Sequence, residues 1–412
     1  MARICVLTAG HLSTCPRMVK AADALAGAGH RVRVVSARYI DWAVAADADA
    51  VRNRSGLWDW TAVNLEGGWC RTRAAVRRRA ANLLAALAGP GRSPVPLAAR
   101  AYGRAHDELV DAVLREPMDL VYGGGGALAA AAAVGERAGV PYAIDLEDFH
   151  SAEQDDSRAA RVAHALVRRI ERAVLPRAAF LTAGSSAIAS AYRDAYGVAP
   201  LTVNNVFPLP SRPPALSERV GAGLRLYWFS QTVGPRRGLE DAIRAMGMAE
   251  IPGELHVRGR ASSAYLESLV HLAEDVAPAL KIVPHDPAPP DAMVQLCAGY
   301  DIGLSLEQGH VRNRELCLTN KAFTYMLGGL ALAFTDTAGQ RPLAEDLGEG
   351  AVVYTPGDVE SLARGLLCWA QDGDALRRAR TAAWQAAVRR WHWEHPLERG
   401  ALLDAVERVA AR

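Results

Sequence analysis

Two consecutive doubly wound α/β domains, each a parallel sheet covered by helices, are what this sequence predicts. Short β-branched and apolar runs alternate with helically spaced segments along most of the chain, the signature of βα units around parallel sheets. The alternation stops at Phe207–Pro214, FPLPSRPP, where four prolines in eight residues exclude a helix or a central strand, and then it restarts. A length of 412 residues suits more than one core.

In the first half, Arg3–Thr8 reads as a strand. Arg17–Ala28 reads as a helix, with Met18, Ala22 and Leu25 on one face and Gly29 as its stop. Arg31–Ser36 is the next strand, and Asp119–Tyr122, Tyr142–Leu146 and Phe180–Ala183 read as buried strands, each followed by a helical segment. Residues 201–206, LTVNNV, close this half. The second half predicts strands at Leu224–Phe229, Leu255–Arg258, Lys281–Val283, Ile302–Ser305, Leu330–Phe334 and Val352–Tyr354, with a mostly helical tail from Val359. The expected domains are therefore 1–206 and 223–388, joined by a linker at 207–222.

Two segments depart from the alternation. Residues 41–118 carry Trp42, Trp58, Trp60 and Trp69, and then Arg71, Arg73, Arg77, Arg78 and Arg79 ahead of an apolar run. One reading is a basic amphipathic helix in peripheral contact with an anionic membrane through Arg71–Arg79. The other is a solvated helix face. Gly123–Gly126 follow a strand and precede an Ala-rich helix. Glycine there either admits a ligand close to the backbone or makes a tight turn.

Composition narrows the function. Half of the residues are apolar, 22% are charged and the net charge is +2, which excludes wholesale disorder and sets nucleic-acid coating aside. Six cysteines without a C-x-x-C pair predict neither a disulfide framework nor a metal site, and suit a reducing cytoplasm. The first residues, MARICVLTAG, read as a strand rather than a signal peptide, and the longest uncharged stretch, Leu120–Gly135, is too short to span a membrane. Only three of 47 basic residues are lysines: Lys20, Lys281 and Lys321. Each is a candidate for a position where arginine would not serve, although Lys281 shows no such role.

Open α/β sheets bind ligands at the carboxyl ends of their strands. The loops there contain no G-x-G-x-x-G, no G-x-x-x-x-G-K-[ST], no G-x-S-x-G and no H-E-x-x-H, so dinucleotide, P-loop, hydrolase and metalloprotease readings lose their support. The loop SQTVGPRRG instead delivers Arg236 and Arg237 to the start of a helix, where guanidiniums and free N–H groups suit phosphate oxygens. After Ile302–Ser305, Thr319 and Asn320 are candidate helix caps and Lys321 lies in the first turn. The helix dipole disfavours a cation there unless an anion sits beside it. Lys321 and Arg237 together are expected to hold a diphosphate.

At these residues the sequence resembles the retaining glycosyltransferases of family four, which have the GT-B fold. PRMVKAADALAGAGHRVRVVS is similar to the family's first helix and second strand, YAIDLEDFHSAE to its cleft-facing loop, and AFLTAGSSAIASAYRDAYG to the end of its N-domain. FSQTVGPRRGLEDAI is similar to its phosphate loop, NKAFTYMLGGLALAF to its donor-binding helix, and RWHWEHPLERGALLDAV to its C-terminal helices. The resemblance covers nearly the whole chain.

It implies two Rossmann-like domains facing a cleft, with residues 389–412 crossing back onto the N-domain. The implied reaction is transfer of a sugar from a nucleotide-diphosphate sugar to an acceptor hydroxyl, with retention and without a metal or other cofactor. The implied setting is cytoplasmic assembly of a cell-envelope glycan or natural product, with a small-molecule, lipid-linked or glycan acceptor. Arg237 and Lys321, with Glu147, Asp148 and His150, are the implied catalytic set. Gln231, Arg236, Arg258, His285, Glu307, Glu315, Thr319, Asn320 and Thr324 are the implied donor side, and His11, Arg17 and Gly124 the acceptor side.

The sequence also departs from the family. Glu307 and Glu315 show the family's Glu-x7-Glu spacing, but alignment on the helix puts those glutamates at Leu316 and Thr324, so the literal spacing reads as a coincidence. The donor ribose then lacks a carboxylate unless Glu315 or Glu307 swings in. Glu147 stands where the family often has histidine before Asp148, with His150 as a substitute. These departures keep open a pseudo-glycosyltransferase that couples non-sugar units or only binds; a weaker alternative is a nucleotide-sugar epimerase on the same fold, holding the diphosphate similarly.

Overall fold

The computed structural model describes residues 1–155, 157–214 and 223–411. It forms two compact units, Met1–Asn204 with Pro396–Arg412, and Asn205–His395. Of the expected linker, 207–214 is neither helix nor strand, and 215–222 lies outside the described residues.

The first unit is built on β1 (Arg3–Thr8), β2 (Arg31–Arg38), β3 (Asp59–Asn64), β4 (Leu120–Gly124), β5 (Tyr142–Leu146), β6 (Leu181–Ala183) and β7 (Leu201–Thr202). The order is β3-β2-β1-β4-β5-β6-β7, with every pair parallel. Burial on both faces explains the unbroken apolar runs of the central strands. Edge strand β3 is absent from the sequence reading because its residues are only half-buried and show no strand alternation. Trp60, taken there as part of an aromatic segment, sits on β3 and donates its indole N–H to Ser36 Oγ at 2.9 Å.

The expected strand at 201–206 stops at Thr202. Beyond it the backbone leaves the ladder: the Asn204 N–H donates to Glu398 Oε2 at 2.5 Å and its side-chain amide to Oε1 at 2.8 Å. The tail beyond His395 accordingly belongs to this unit and ends in the helix Ala401–Ala410. The division falls at 395/396 rather than at the expected 388/389. Residues up to Trp393 remain tied to the second unit, where the Trp393 N–H donates to the Phe207 carbonyl at 2.8 Å.

The second unit contains β8 (Leu224–Thr232), β9 (Gly253–Arg260), β10 (Leu280–His285), β11 (Ile302–Ser305), β12 (Ala331–Thr335) and β13 (Ala351–Tyr354). They are ordered β10-β9-β8-β11-β12-β13, again all parallel. Leu224, Leu226 and Trp228 alternate into one core layer with Ile243, Met246, Leu255 and Leu366. Tyr227 and Phe229 point the other way, their rings edge-on to Tyr325 of the helix Asn320–Leu327. The strand order reverses between β1 and β4 in the first sheet and between β8 and β11 in the second, and open sheets bind ligands outside such points.

A buried ion pair fixes the reversal in the first unit. Asp145 on β5 is fully buried and receives Arg17 Nε at 2.9 and 2.8 Å, together with the Thr182 hydroxyl at 2.5 Å. Arg17 opens the helix Pro16–Gly27, so the pair locks that helix to β5. Asp145→Asn leaves a buried guanidinium without its anion and is expected to lower unfolding stability by about 3–5 kcal/mol, measured by urea denaturation. Replacing both partners with apolar residues is expected to cost much less.

Candidate functional site

Loop 233–238, VGPRRG, leaves the carboxyl end of β8. A Cβ on Gly238 would stand 2.4 Å from Leu306 Cβ and 2.7 Å from Gln308 Nε2, so glycine lets this loop close on the one after β11. Arg236 adopts φ +62°, a left-handed conformation that costs a non-glycine residue about 1–2 kcal/mol. The turn leaves Arg236 exposed and Arg237 half-buried.

Glu307, on the loop after β11, is 3% exposed and gathers three cations. Lys321 Nζ lies 2.9 Å from Oε1, while Arg314 Nη1 and Arg237 Nη1 lie 3.3 and 3.9 Å from Oε2. Burial alone would raise the Glu307 carboxyl; Lys321 and Arg314 outweigh it and hold the group at about 2. Burial also pulls Lys321 and Arg237 below their ordinary values, against the pull of Glu307. Three positive charges on one carboxylate leave a surplus, and guanidinium planes match the oxygens of a phosphate.

The helix Asn320–Leu327 opens at the same place. Thr319 has N-cap backbone angles but makes no capping hydrogen bond; its hydroxyl lies 3.4 Å from Ser305 Oγ. Asn320 accepts the Thr324 hydroxyl on its carbonyl at 2.9 Å, which turns Thr324 back onto its own helix. Glu315 accepts the Ala338 N–H at 2.9 Å and is engaged in holding that turn. Glu307, whose spacing to Glu315 read as a coincidence, is the carboxylate that stands against Lys321.

Other donor-side residues form a second group at the ends of β9 and β10. Arg258 donates Nε to the Tyr227 hydroxyl and Nη1 to the Asp286 carbonyl, both at 2.8 Å. His285 Nε2 lies 2.8 Å from His256 Nδ1, and the Tyr227 and Tyr300 rings stack at 4.2 Å. Gln231 is exposed near the end of β8.

In the first unit the loop after β5 carries Glu147 and Asp148, both half-buried, and His150, which is buried. Burial and then Asp148 push the Glu147 carboxyl up to about 7, while burial and then Arg17 bring Lys20 down to about 7. His150 Nδ1 pairs with Glu153, and its backbone N–H donates to the Tyr192 hydroxyl at 3.1 Å. Its Nε2 is buried without a hydrogen-bond partner, and the ring borders a mostly apolar recess with Tyr102, Leu109, Gly126 and Val167.

The three expected acceptor-side residues have structural work instead. His11 is fully buried: its Nδ1 meets Asp47 at 2.6 Å, and its Nε2 accepts the Tyr39 and Ile40 N–H groups at 2.9 Å each. Arg17 is taken by Asp145 and by the Val203 carbonyl. Gly124 makes room for Met18, whose sulfur would lie 2.3 Å from a Cβ there. Gly126, at φ +83°, is the glycine of the run that borders the recess.

No protein-family model matches the chain, and no curated protein matches its sequence. Solved structures do match. Alr3699/HepE of Anabaena, in complex with UDP and glucose, is 17% identical with a TM-score of 0.65, over 100% of both chains. Sucrose-phosphate synthase from Thermosynechococcus elongatus is 13% identical with a TM-score of 0.69, again over 100% of both. A glycosyltransferase from Rickettsia africae is 10% identical with a TM-score of 0.67, over 99% of this chain and 98% of that one. At these identities the likeness is one of fold. The fold is the GT-B fold.

The sequence reading missed Arg314, Asp145 and Glu153. A charge inside an apolar strand, as in YAIDL, signals a buried partner, and Asp145 was legible on that ground. Arg314 lies in the polar run Arg312–Glu315, where no pattern singles it out. Among the described residues no three His, Cys, Asp or Glu side chains gather as a metal site.

His150 gives a pH test. Burial works to lower it, but the Glu153 carboxylate overrides that and raises it to about 9, from 6.5. A raised value in the folded chain means stability that is full below pH 6.5 and lost as pH climbs through about 9. His150→Gln is expected to flatten that part of the curve of unfolding free energy against pH. The difference from the parent chain is expected to be about 3 kcal/mol across the window.

Proposed function

We propose that this chain transfers a sugar from a nucleoside-diphosphate sugar to an acceptor hydroxyl, with retention and without a metal. The surplus of charge at Glu307, where Arg237, Arg314 and Lys321 converge, carries the reading. It lies at the reversal of the second sheet, where open α/β folds bind phosphates. The HepE structures in complex with UDP and with UDP-glucose support a uridine nucleotide sugar as the first donor to try.

In this reading the three cations neutralise the departing diphosphate, which stabilises charge where it develops. The leaving phosphate takes the acceptor proton, so no protein nucleophile is needed. Glu147, Asp148 and His150, on the first unit, are the groups proposed to hydrogen-bond and orient the acceptor hydroxyl. With Glu147 near 7, its carboxyl shares a hydrogen bond with a hydroxyl in either protonation state.

Lys321→Ala and Arg237→Ala are each expected to weaken binding of a nucleoside diphosphate by about 1.5–3 kcal/mol, read by calorimetry across a panel of bases. The nucleoside without phosphates is expected to change far less. Unchanged diphosphate affinity in both variants would place the site elsewhere.

Thr324 favours a second reading. It is fully buried, hydrogen-bonded to its own helix, and stands where the resembled family carries a carboxylate toward the donor. That arrangement suits a pseudo-glycosyltransferase. Thr324→Glu separates the two: a gain in turnover of nucleotide sugars supports the second reading, and a loss supports threonine as the residue that fits the donor.

A further inference from the structure

The helix Gly68–Ala88 turns its small residues inward and its large ones outward. Ala74, Ala81 and Ala85 are its buried residues, and its neighbour Val95–Tyr102 buries Ala98, Ala99 and Ala101. Asn82 ties the two together, its amide donating to the Ala101 carbonyl at 2.9 Å. Trp69, Val76, Leu83 and Leu87 are 79%, 58%, 69% and 86% exposed. Their spacing of seven, seven and four residues places them on one stripe, opposite the alanines. A helix that only packed on its own domain would put these side chains inside. A contiguous apolar stripe left in water marks a docking surface.

The charge around the stripe identifies what docks. Residues 67–106 contain eight arginines and no acidic residue. Arg77 and Arg100 are paired with Asp107, and Arg77 also with Glu108. Arg73 and Arg79 flank the stripe on either side, exposed, and no ion pair occupies them among the described residues. A second copy docked face to face would set the same arginines against each other, which disfavours a symmetric dimer here. A soluble polyanion would satisfy the arginines but leave the leucines and Trp69 in water. An anionic bilayer takes both: phosphate headgroups for the guanidiniums, and the acyl boundary for the apolar side chains.

We propose that the face made by Trp69, Val76, Leu83 and Leu87, flanked by Arg73 and Arg79, docks this chain on an anionic lipid bilayer. The chain lies on the surface; no helix among the described residues is long and apolar enough to cross a membrane. The inference stands apart from the donor site, because binding is read with no nucleotide sugar present.

The test is flotation of the full chain with two kinds of vesicle at physiological salt: pure phosphatidylcholine, and phosphatidylcholine with about one-third phosphatidylglycerol. The chain is expected to float with the anionic vesicles and to remain behind with the neutral ones. Trp69→Ser with Leu83→Ser and Leu87→Ser is expected to cut partitioning by about tenfold or more. Arg73→Gln and Arg79→Gln are expected to cut it about fivefold each. These side chains are exposed, so the variants should keep the parent's melting temperature and circular dichroism, which is checked alongside. Absence of flotation, or flotation indifferent to the serine variant, overturns the proposal. So does a concentration-dependent dimer, seen by light scattering, that the serine variant dissociates while lipid binding is absent.

Discussion

One buried carboxylate holds the second unit's working end together. Glu307 draws in Lys321 from the helix Asn320–Leu327, Arg314 from the short helix Arg312–Leu316 and Arg237 from the loop after β8. Without it, three cations would stand close together with nothing to offset their repulsion, and burial of Lys321 would be prohibitive. With it, the loops are pinned while the charge is only partly balanced. That imbalance favours an anion, and one bound there would stabilise the folded chain by mass action.

The strain nearby fits the same account. Arg236 in a left-handed conformation and Gly238 against Leu306 are backbone features that a loop needing only to connect a strand to a helix would avoid. They persist because they fold the G-P-R-R-G turn flat against the Glu307 loop, which aims Arg237 at the carboxylate. Strain retained at a charged loop on a sheet reversal is a mark of use rather than of connection.

Much of the fold was legible in the sequence because parallel strands buried on both faces must be apolar throughout, and the prolines of Phe207–Pro214 admit little else. β3 was illegible for the converse reason: at the sheet edge nothing forces its residues to be apolar. At the site, Lys321 was legible because it breaks two regularities at once, as a rare lysine in a place the helix dipole disfavours. Glu307 was harder. Its spacing to Glu315 imitated a family pattern that alignment on the helix contradicted, and only its position in space shows that it meets Lys321. His11, Arg17 and Gly124 lie at or just beyond the carboxyl ends of β1 and β4, and their surroundings depend on Asp47, Asp145 and Met18, which no local pattern discloses.

Charge balance separates structural groups from functional ones throughout this chain. Arg17 has one carboxylate, Asp145, and both are buried, so the pair balances its own charge and holds the helix Pro16–Gly27 to β5. The Glu307 cluster breaks that parity with three cations to one anion. The helix Gly68–Ala88 breaks a second parity, with Leu83 and Leu87 outward and no ion pair on Arg73 or Arg79 among the described residues. Folding alone rewards neither arrangement: surplus charge repels itself, and exposed leucine gains nothing in water. Each is stable only in proportion to what the rest of its domain supplies, and each would become favourable against the complementary surface proposed for it, a diphosphate in one case and an anionic bilayer in the other.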